Sequence, residues 1–232
     1  MNKFFTLILC CCFFTAFSAK PKHQYVSIKT NQGECIIKLY HETPKHRDNF
    51  IKLIKDGTFE GTLFHRIIKD FMIQGGDPDS KKAKPGQELG NGSVGYTVPA
   101  EFNDSLFHKR GALGAARDDN PVKASSGSQF YIVQGKKFSE EQLNTVESNR
   151  LKYKIPEWQR EVYKTLGGTP HLDRSYTVFG EVVQGMEMVD AIALLEKDSR
   201  DRPSVDVAMT LTVLKKRKAR KLEKELLKNN NI

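Results

Sequence analysis

The sequence predicts a mainly β domain, an antiparallel barrel with two helices. Three observations point there. Short alternating or apolar runs recur along the chain, loops rich in Gly, Pro and Asn separate them, and the repeating body holds only two amphipathic helical stretches. Residues 25–30 alternate as a strand, Asn31-Gln32-Gly33 is a turn, and residues 34–40 alternate again, so the domain opens on a hairpin. Thr43-Pro44 then starts a helix, with a hydroxyl at the N-cap and proline in the first turn. Phe50, Leu53 and Ile54 follow at helical spacing, and Asp56-Gly57 closes the segment. Further strands are expected at 62–68, 71–74, 111–116, 129–133 and 176–183. A second helix is expected at 186–195, with Met188, Val189, Ile192 and Leu195 on one face, and a last strand at 205–214. Residues 139–166 break this rhythm. Ser139 followed by Glu140 and Glu141 starts a helix, and Pro156 splits the segment in two, so about 139–168 reads as an inserted helical hairpin.

The 232 residues carry 37 Lys plus Arg against 28 Asp plus Glu, a net charge of +9, with 38% hydrophobic residues. This composition excludes a fully disordered chain, a collagen-like repeat and a polytopic membrane protein. The charge is unevenly placed. Residues 215–228, KKRKARKLEKELLK, hold eight cations and two glutamates, a net +6. With Lys3 also set aside, residues 20–214 carry only +2. The 215–232 tail is expected to be exposed, helical or disordered, and to touch anionic surfaces weakly. No aromatic side chain interleaves its cations, so no nucleic-acid partner is expected. At the other end, Lys3, an uncharged run from Phe4 to Phe17, and the small residues Ala16, Ser18 and Ala19 read as a signal peptide over 1–19. That run is too short to span a bilayer. The chain is therefore expected to be exported, to a bacterial periplasm. Alternatives are secretion, a lipoprotein anchor among Cys10, Cys11 and Cys12, or a secretory-pathway lumen. The mature chain, 20–214 plus the tail, would keep only Cys35, an inert core thiol without a disulfide partner.

Most catalytic motifs are absent. The six histidines form no HExxH and no CxxC occurs, so no metal site is expected. No GxxxxGK[ST] loop, no GxGxxG following a strand and no GxSxG is present, so no cofactor and no nucleophile elbow are expected. One dense run stands out: FHRIIKDFMIQGGD, residues 64–77. A strand alternating apolar residues with Arg66 and Gln74 sets those polar groups on one face. With Phe71 and Met72 beside them, that face would be an apolar cleft rimmed by a guanidinium. Residues 111–117 and 128–132 offer two more strands of small and aromatic residues. The residues alone leave a core strand and a binding cleft equally open.

FHRIIKDFMIQGGD resembles the signature of the cyclophilins, the peptidyl-prolyl cis-trans isomerases. GSQFYI (127–132) is similar to their second signature strand, and YTVFGEVVQGMEMVDAI (176–192) to their late strand and second helix. Order and spacing match from 25 to about 214, apart from the insertion. The resemblance implies a closed eight-stranded antiparallel barrel capped by two α-helices, with a substrate groove along its outer surface. It implies rotation about X–Pro bonds of unfolded or partly folded polypeptides, without metal, nucleotide or covalent intermediate. For an exported chain the implied role is folding of exported proteins, and a monomer is expected. Arg66 matches the family's catalytic arginine. Gln74 matches the glutamine that holds the substrate carbonyl and orients the arginine. Phe71, Met72, Tyr131 and Leu172 match the walls of the proline pocket. Ala116 and Arg117 match a loop whose backbone binds peptide, Gln129 matches a second groove glutamine, and His65, just before the arginine, is either structural or at the groove edge. The chain departs from the family at two places: His171 stands where a tryptophan is frequent, and Tyr176 where a histidine is. The first departure implies weak cyclosporin binding. The competing reading is a non-catalytic cyclophilin-like chaperone or scaffold that works through its insertion or basic tail.

Overall fold

The computed structural model of the chain describes residues 23–229, so the expected signal peptide lies outside the described residues. β1 (Gln24–Thr30) and β2 (Gly33–Leu39) form the expected hairpin. Gly33 closes its turn at φ +129°, a conformation that side chains rarely adopt. α1 (Pro44–Lys55) follows, but its N-terminus is not capped by the Thr43 hydroxyl, which makes no capping bond. The carboxylate of Glu101 takes that place from a distant loop, accepting the N–H groups of Lys45 at 3.0 Å and His46 at 2.9 Å. A full negative charge at a helix N-terminus satisfies the same free donors and also meets the positive end of the helix dipole.

The remaining strands and α-helices are β3 (Phe64–Ile68), β4 (Met72–Gly75), β5 (Thr97–Val98), β6 (Ala112–Ala115), β7 (Ser125–Ser126), β8 (Phe130–Val133), α2 (Glu140–Val146), α3 (Glu157–Thr165), β9 (Val178–Gln184), α4 (Met186–Ala193), β10 (Thr210–Val213) and α5 (Lys216–Asn229). Eight strands make one antiparallel sheet in the order β10-β1-β2-β9-β6-β8-β4-β3, and β5 pairs with β7 alone. The sheet curls but its ladder does not close, which corrects the expected closed barrel. β3 and β10 stand at its two edges. The edges meet just outside those strands, at a lone Leu63–Ala208 bridge flanked by Phe64 N–H to Val207 carbonyl and Met209 N–H to Thr62 carbonyl, both 2.9 Å. β10 begins only at Thr210, beyond this seam, so consecutive pairs cannot build up across it.

Alternation sorts the side chains. The inward residues, among them Val26, Ile28, Ile37, Ile67, Ile73, Leu113 and Ile132, form one core with Phe50 and Leu53 of α1 and Val189 and Ile192 of α4. Phe50 packs edge-on against Phe130 and Phe179, with ring centroids 5.3 and 5.4 Å apart. Cys35 belongs to this core, and burial pushes its thiol up to about 12, so it is inert as expected.

The outward residues form separate clusters. Tyr25 of β1, Ile36 of β2 and Val183 of β9 pack under Ala219, Leu222 and Leu226 of α5. The basic tail is therefore a docked amphipathic helix, not an exposed segment. Met72, Ala112, Tyr131 and Val133, outward on β4, β6 and β8, form another cluster. The insertion is the predicted helical hairpin. Ser139 caps α2 in a reciprocal capping box with Gln142, and Pro156 immediately precedes α3. Buried Arg160 of α3 bridges Glu140 and Glu147 across the hairpin. Leu143, Ile155 and Tyr163 pack with Phe107, which precedes β6.

Candidate active site

Strand register builds the site. β3 and β4 pair Arg66 with Gln74, and β4 and β8 pair Gln74 with Tyr131, so all three project from the outer face. Phe71 enters from the β3–β4 turn, where Asp70 adopts a left-handed φ of +62°. Leu172 and Tyr176 come from the loop that follows the insertion, and Ala116 and Arg117 from the end of β6. Together with Met72 these side chains line a solvent-open cavity of about 130 Å³. A cavity near 150 Å³ accepts one benzene-sized ring, so this one suits a single small ring. Its floor depends on Gly114: a Cβ there would lie 2.3 Å from the ring of Tyr131.

A chain of fixed polar groups leads to the arginine. Buried Asp77 accepts the N–H groups of Gly90 at 2.5 Å and Asp79 at 2.8 Å, and so pins the loop ahead of β5. That loop presents the carbonyls of Gly90 and Gly92 to the Gln129 amide nitrogen, at 2.7 and 3.0 Å. Carbonyls only accept, so the oxygen of Gln129 must face the other way. It accepts from Gln74 Nε2 at 3.1 Å, and Gln74 Oε1 in turn faces Arg66 Nη1 at 3.5 Å. Asp201 lies 3.8 Å from Arg66 Nε on the other side. The arginine is thus held between two acceptors while its side chain stays 42% exposed.

A second buried chain stands behind Tyr131. The Asp173 carboxylate accepts from the backbone N–H of His108 at 2.9 Å and lies 2.8 Å from its Nδ1. His108 Nε2 is 2.9 Å from the Tyr131 hydroxyl, which burial keeps protonated. Tyr163 of α3 donates to the other Asp173 oxygen at 2.6 Å. The insertion therefore touches the wall of the cavity through three side chains. At the rim, Arg117 donates to the Ser175 carbonyl at 2.9 Å and lies over the Tyr176 ring, 4.7 Å from its centroid.

Nine of the twelve expected site residues line this one cavity. The other three sit around it. His171 stacks on Phe71 with centroids 5.4 Å apart, and burial lowers its pKa. Gln129 lines a neighbouring cavity of about 120 Å³ with Gly92, Thr97 and Asn120. His65 lies outside this cavity and lines the adjoining one with Arg66 and Gln74; its ring is buried, and burial pushes its pKa down to about 4. The sequence reading missed Asp77, His108, Asp173, Asp201 and Tyr163. Two of these adjoin the matched motifs, Asp77 at the end of the GGD run and Asp173 directly after Leu172. The others come from distant segments and carry no local signal.

A family model described as cyclophilin type peptidyl-prolyl cis-trans isomerase/CLD matches residues 25–213. A Staphylococcus haemolyticus protein that carries the name of a peptidyl-prolyl cis-trans isomerase is 36% identical over 186 residues, which is 79% of this chain and 87% of that protein. A Streptococcus pyogenes protein named as a bifunctional phosphatase/peptidyl-prolyl cis-trans isomerase is 40% identical over 78% of this chain. This chain spans only 37% of that longer protein. In fold, the chain is similar to a cyclophilin-type isomerase of Cryptosporidium parvum, with a TM-score of 0.60, 24% identity, and coverage of 83% of this chain and 98% of that one. A second structure of that protein, solved in the presence of the dipeptide Ala-Pro, gives a TM-score of 0.59 at 24% identity, over 83% of this chain and 99% of that one. The chain belongs to the cyclophilin-type peptidyl-prolyl cis-trans isomerase family.

Proposed function

We propose that the cavity between Phe71, Met72, Tyr131 and Leu172 holds the proline ring of an X–Pro bond, and that Arg66 catalyses its rotation. The carrying observation is that an exposed guanidinium and an apolar, ring-sized pocket share one opening. The barrier to be lowered is about 18–20 kcal/mol, and unaided isomerisation takes tens to hundreds of seconds. No bond breaks, so neither a nucleophile nor an acid-base pair is needed. In the transition state the amide is twisted, resonance is lost, and the nitrogen becomes electron-rich. A guanidinium N–H aimed at that nitrogen stabilises the twisted form over both planar forms, and only such differential binding accelerates the step. Gln74 serves twice. Its oxygen orients Arg66, and the Nε2 hydrogen not used by Gln129 is free for the substrate carbonyl.

The substrates are proline-containing unfolded or partly folded polypeptides. The Ala-Pro dipeptide present with the Cryptosporidium protein supports a proline-sized ligand. The apolar run of residues 4–17 supports export and a role in folding exported proteins. Isomerisation of a proline tetrapeptide by the wild-type chain and by Arg66→Ala tests the assignment. Loss of one transition-state donor costs about 3–4 kcal/mol, so the variant is expected to be slower by a few hundredfold. Equal rates would refute it.

A further inference from the structure

We propose that the outward face of α5 is a docking surface for an anionic phospholipid bilayer. The helix uses Ala219, Leu222 and Leu226 to pack on Tyr25, Ile36 and Val183. On the opposite side of the helix stand Arg217, Lys221, Lys224 and Lys228, all exposed, with Lys216 and Lys218 exposed on its flanks and Lys215 exposed just ahead of it. Glu225 is exposed among them and lies 3.7 Å from Lys221, while Glu223 is turned toward the domain and accepts the backbone N–H of His23 at 2.8 Å.

Folding does not ask for this charge pattern. The first turn of α5 holds Lys216, Arg217 and Lys218 and no acidic residue, so cations crowd the positive end of the helix dipole and repel one another. An amphipathic helix already docked by its apolar side needs no such stripe. A surface of anionic headgroups supplies the missing counter-charge.

The course of the chain points to the same partner. The His23–Glu223 bond fixes the start of the described domain against α5. The uncharged run from Phe4 to Phe17 thus precedes, in sequence, a residue held against this helix. A nucleic acid fits less well, because α5 has no aromatic side chain on which a base could stack. The helix covers β1, β2 and β9, whereas the proline cavity opens beside β4, β6 and β8, so docking here leaves the groove accessible.

The test uses a chain beginning at Lys20, which keeps every core cluster of the fold. It is sedimented with vesicles of mixed phosphatidylglycerol and phosphatidylcholine, and with phosphatidylcholine alone. Binding is expected only with the anionic vesicles, weakening at least about tenfold when salt is raised from about 0.05 to about 0.5 M. Lys218→Glu combined with Lys221→Glu and Lys224→Glu is expected to weaken partition by more than about tenfold and leave proline-peptide turnover unchanged. Equal binding to neutral vesicles, or equal binding by the triple variant, would overturn the proposal. So would transfer of the protein from anionic vesicles to an added DNA oligonucleotide, which would assign the face to nucleic acid. Should the triple variant fail to fold, the salt titration of the wild-type chain decides the matter.

Discussion

On β1, β2 and β9 the outward side chains Tyr25, Ile36 and Val183 lie beneath α5, whereas on β4, β6 and β8 the outward Met72, Gln74 and Tyr131 lie beneath no α-helix. Both halves belong to one sheet and share one inner core. A curled sheet in water must cover its outer apolar residues or put them to use. One half covers them with a helix and gains stability. The other braces its residues from the sides, through the Asp77–Gln129–Gln74–Arg66 chain and the Tyr163–Asp173–His108–Tyr131 chain, and keeps an opening. Stability and chemistry are therefore expected to separate between the halves.

The largest expected effect lies in the covered half. Tyr25→Ala removes the ring beneath α5, and loss of a buried aromatic costs about 3–5 kcal/mol. Urea unfolding should register that loss, while turnover per folded molecule stays unchanged. A fall in turnover would mean that the halves are not independent.

Next comes a pH effect on the open side. In the fold, burial holds His65 neutral down to about 4, against an ordinary value near 6.5. Between these values the unfolded chain binds a proton that the native chain does not, so stability falls as pH drops. The difference amounts to about 3 kcal/mol once pH reaches 4 and is absent above about pH 7. His46 and His171 are also shifted downward and add to the slope. The decisive quantity is therefore wild type minus His65→Gln, followed by denaturant titration from pH 7 to 4. Parallel curves would contradict burial as the cause of the lowered His65 pKa.

Gln129→Ala should act on rate. It frees Gln74 and with it the arginine, and a loss of about ten- to a hundredfold in turnover corresponds to about 1.4–2.7 kcal/mol. Rates within about twofold of wild type would mean that Arg66 needs no such bracing. The smallest effect is expected for Tyr163→Phe, which takes one donor from buried Asp173 at a cost of about 1–2 kcal/mol in stability. Turnover should change little. A tenfold loss would instead show that the insertion tunes the groove through Tyr131.

What the sequence made legible was local or periodic. The alternation in 64–77 placed Arg66 and Gln74 on one face, and the register confirms that face. The Ser139 start and the Pro156 break of the insertion were readable for the same reason. Long-range partners left no such trace. Thr43 has the right chemistry to cap α1, yet Glu101 does so from 55 residues away in sequence. The open seam between β3 and β10 depends on where β10 begins, which alternation in 205–214 does not mark. The tail held two signals at once. Its charge count favours solvent, but Ala219, Leu222 and Leu226 recur at helical spacing, and burying them against Tyr25 prevailed.

The central claim is that Arg66 acts on the twisted amide and not on the bound substrate. Steady-state isomerisation of one proline peptide by wild type and Arg66→Ala, resolved into kcat and KM, tests this directly. A transition-state role predicts a fall of a few hundredfold in kcat, with KM within about threefold. An unchanged kcat, with the whole loss in KM, would contradict it and reduce Arg66 to a binding residue.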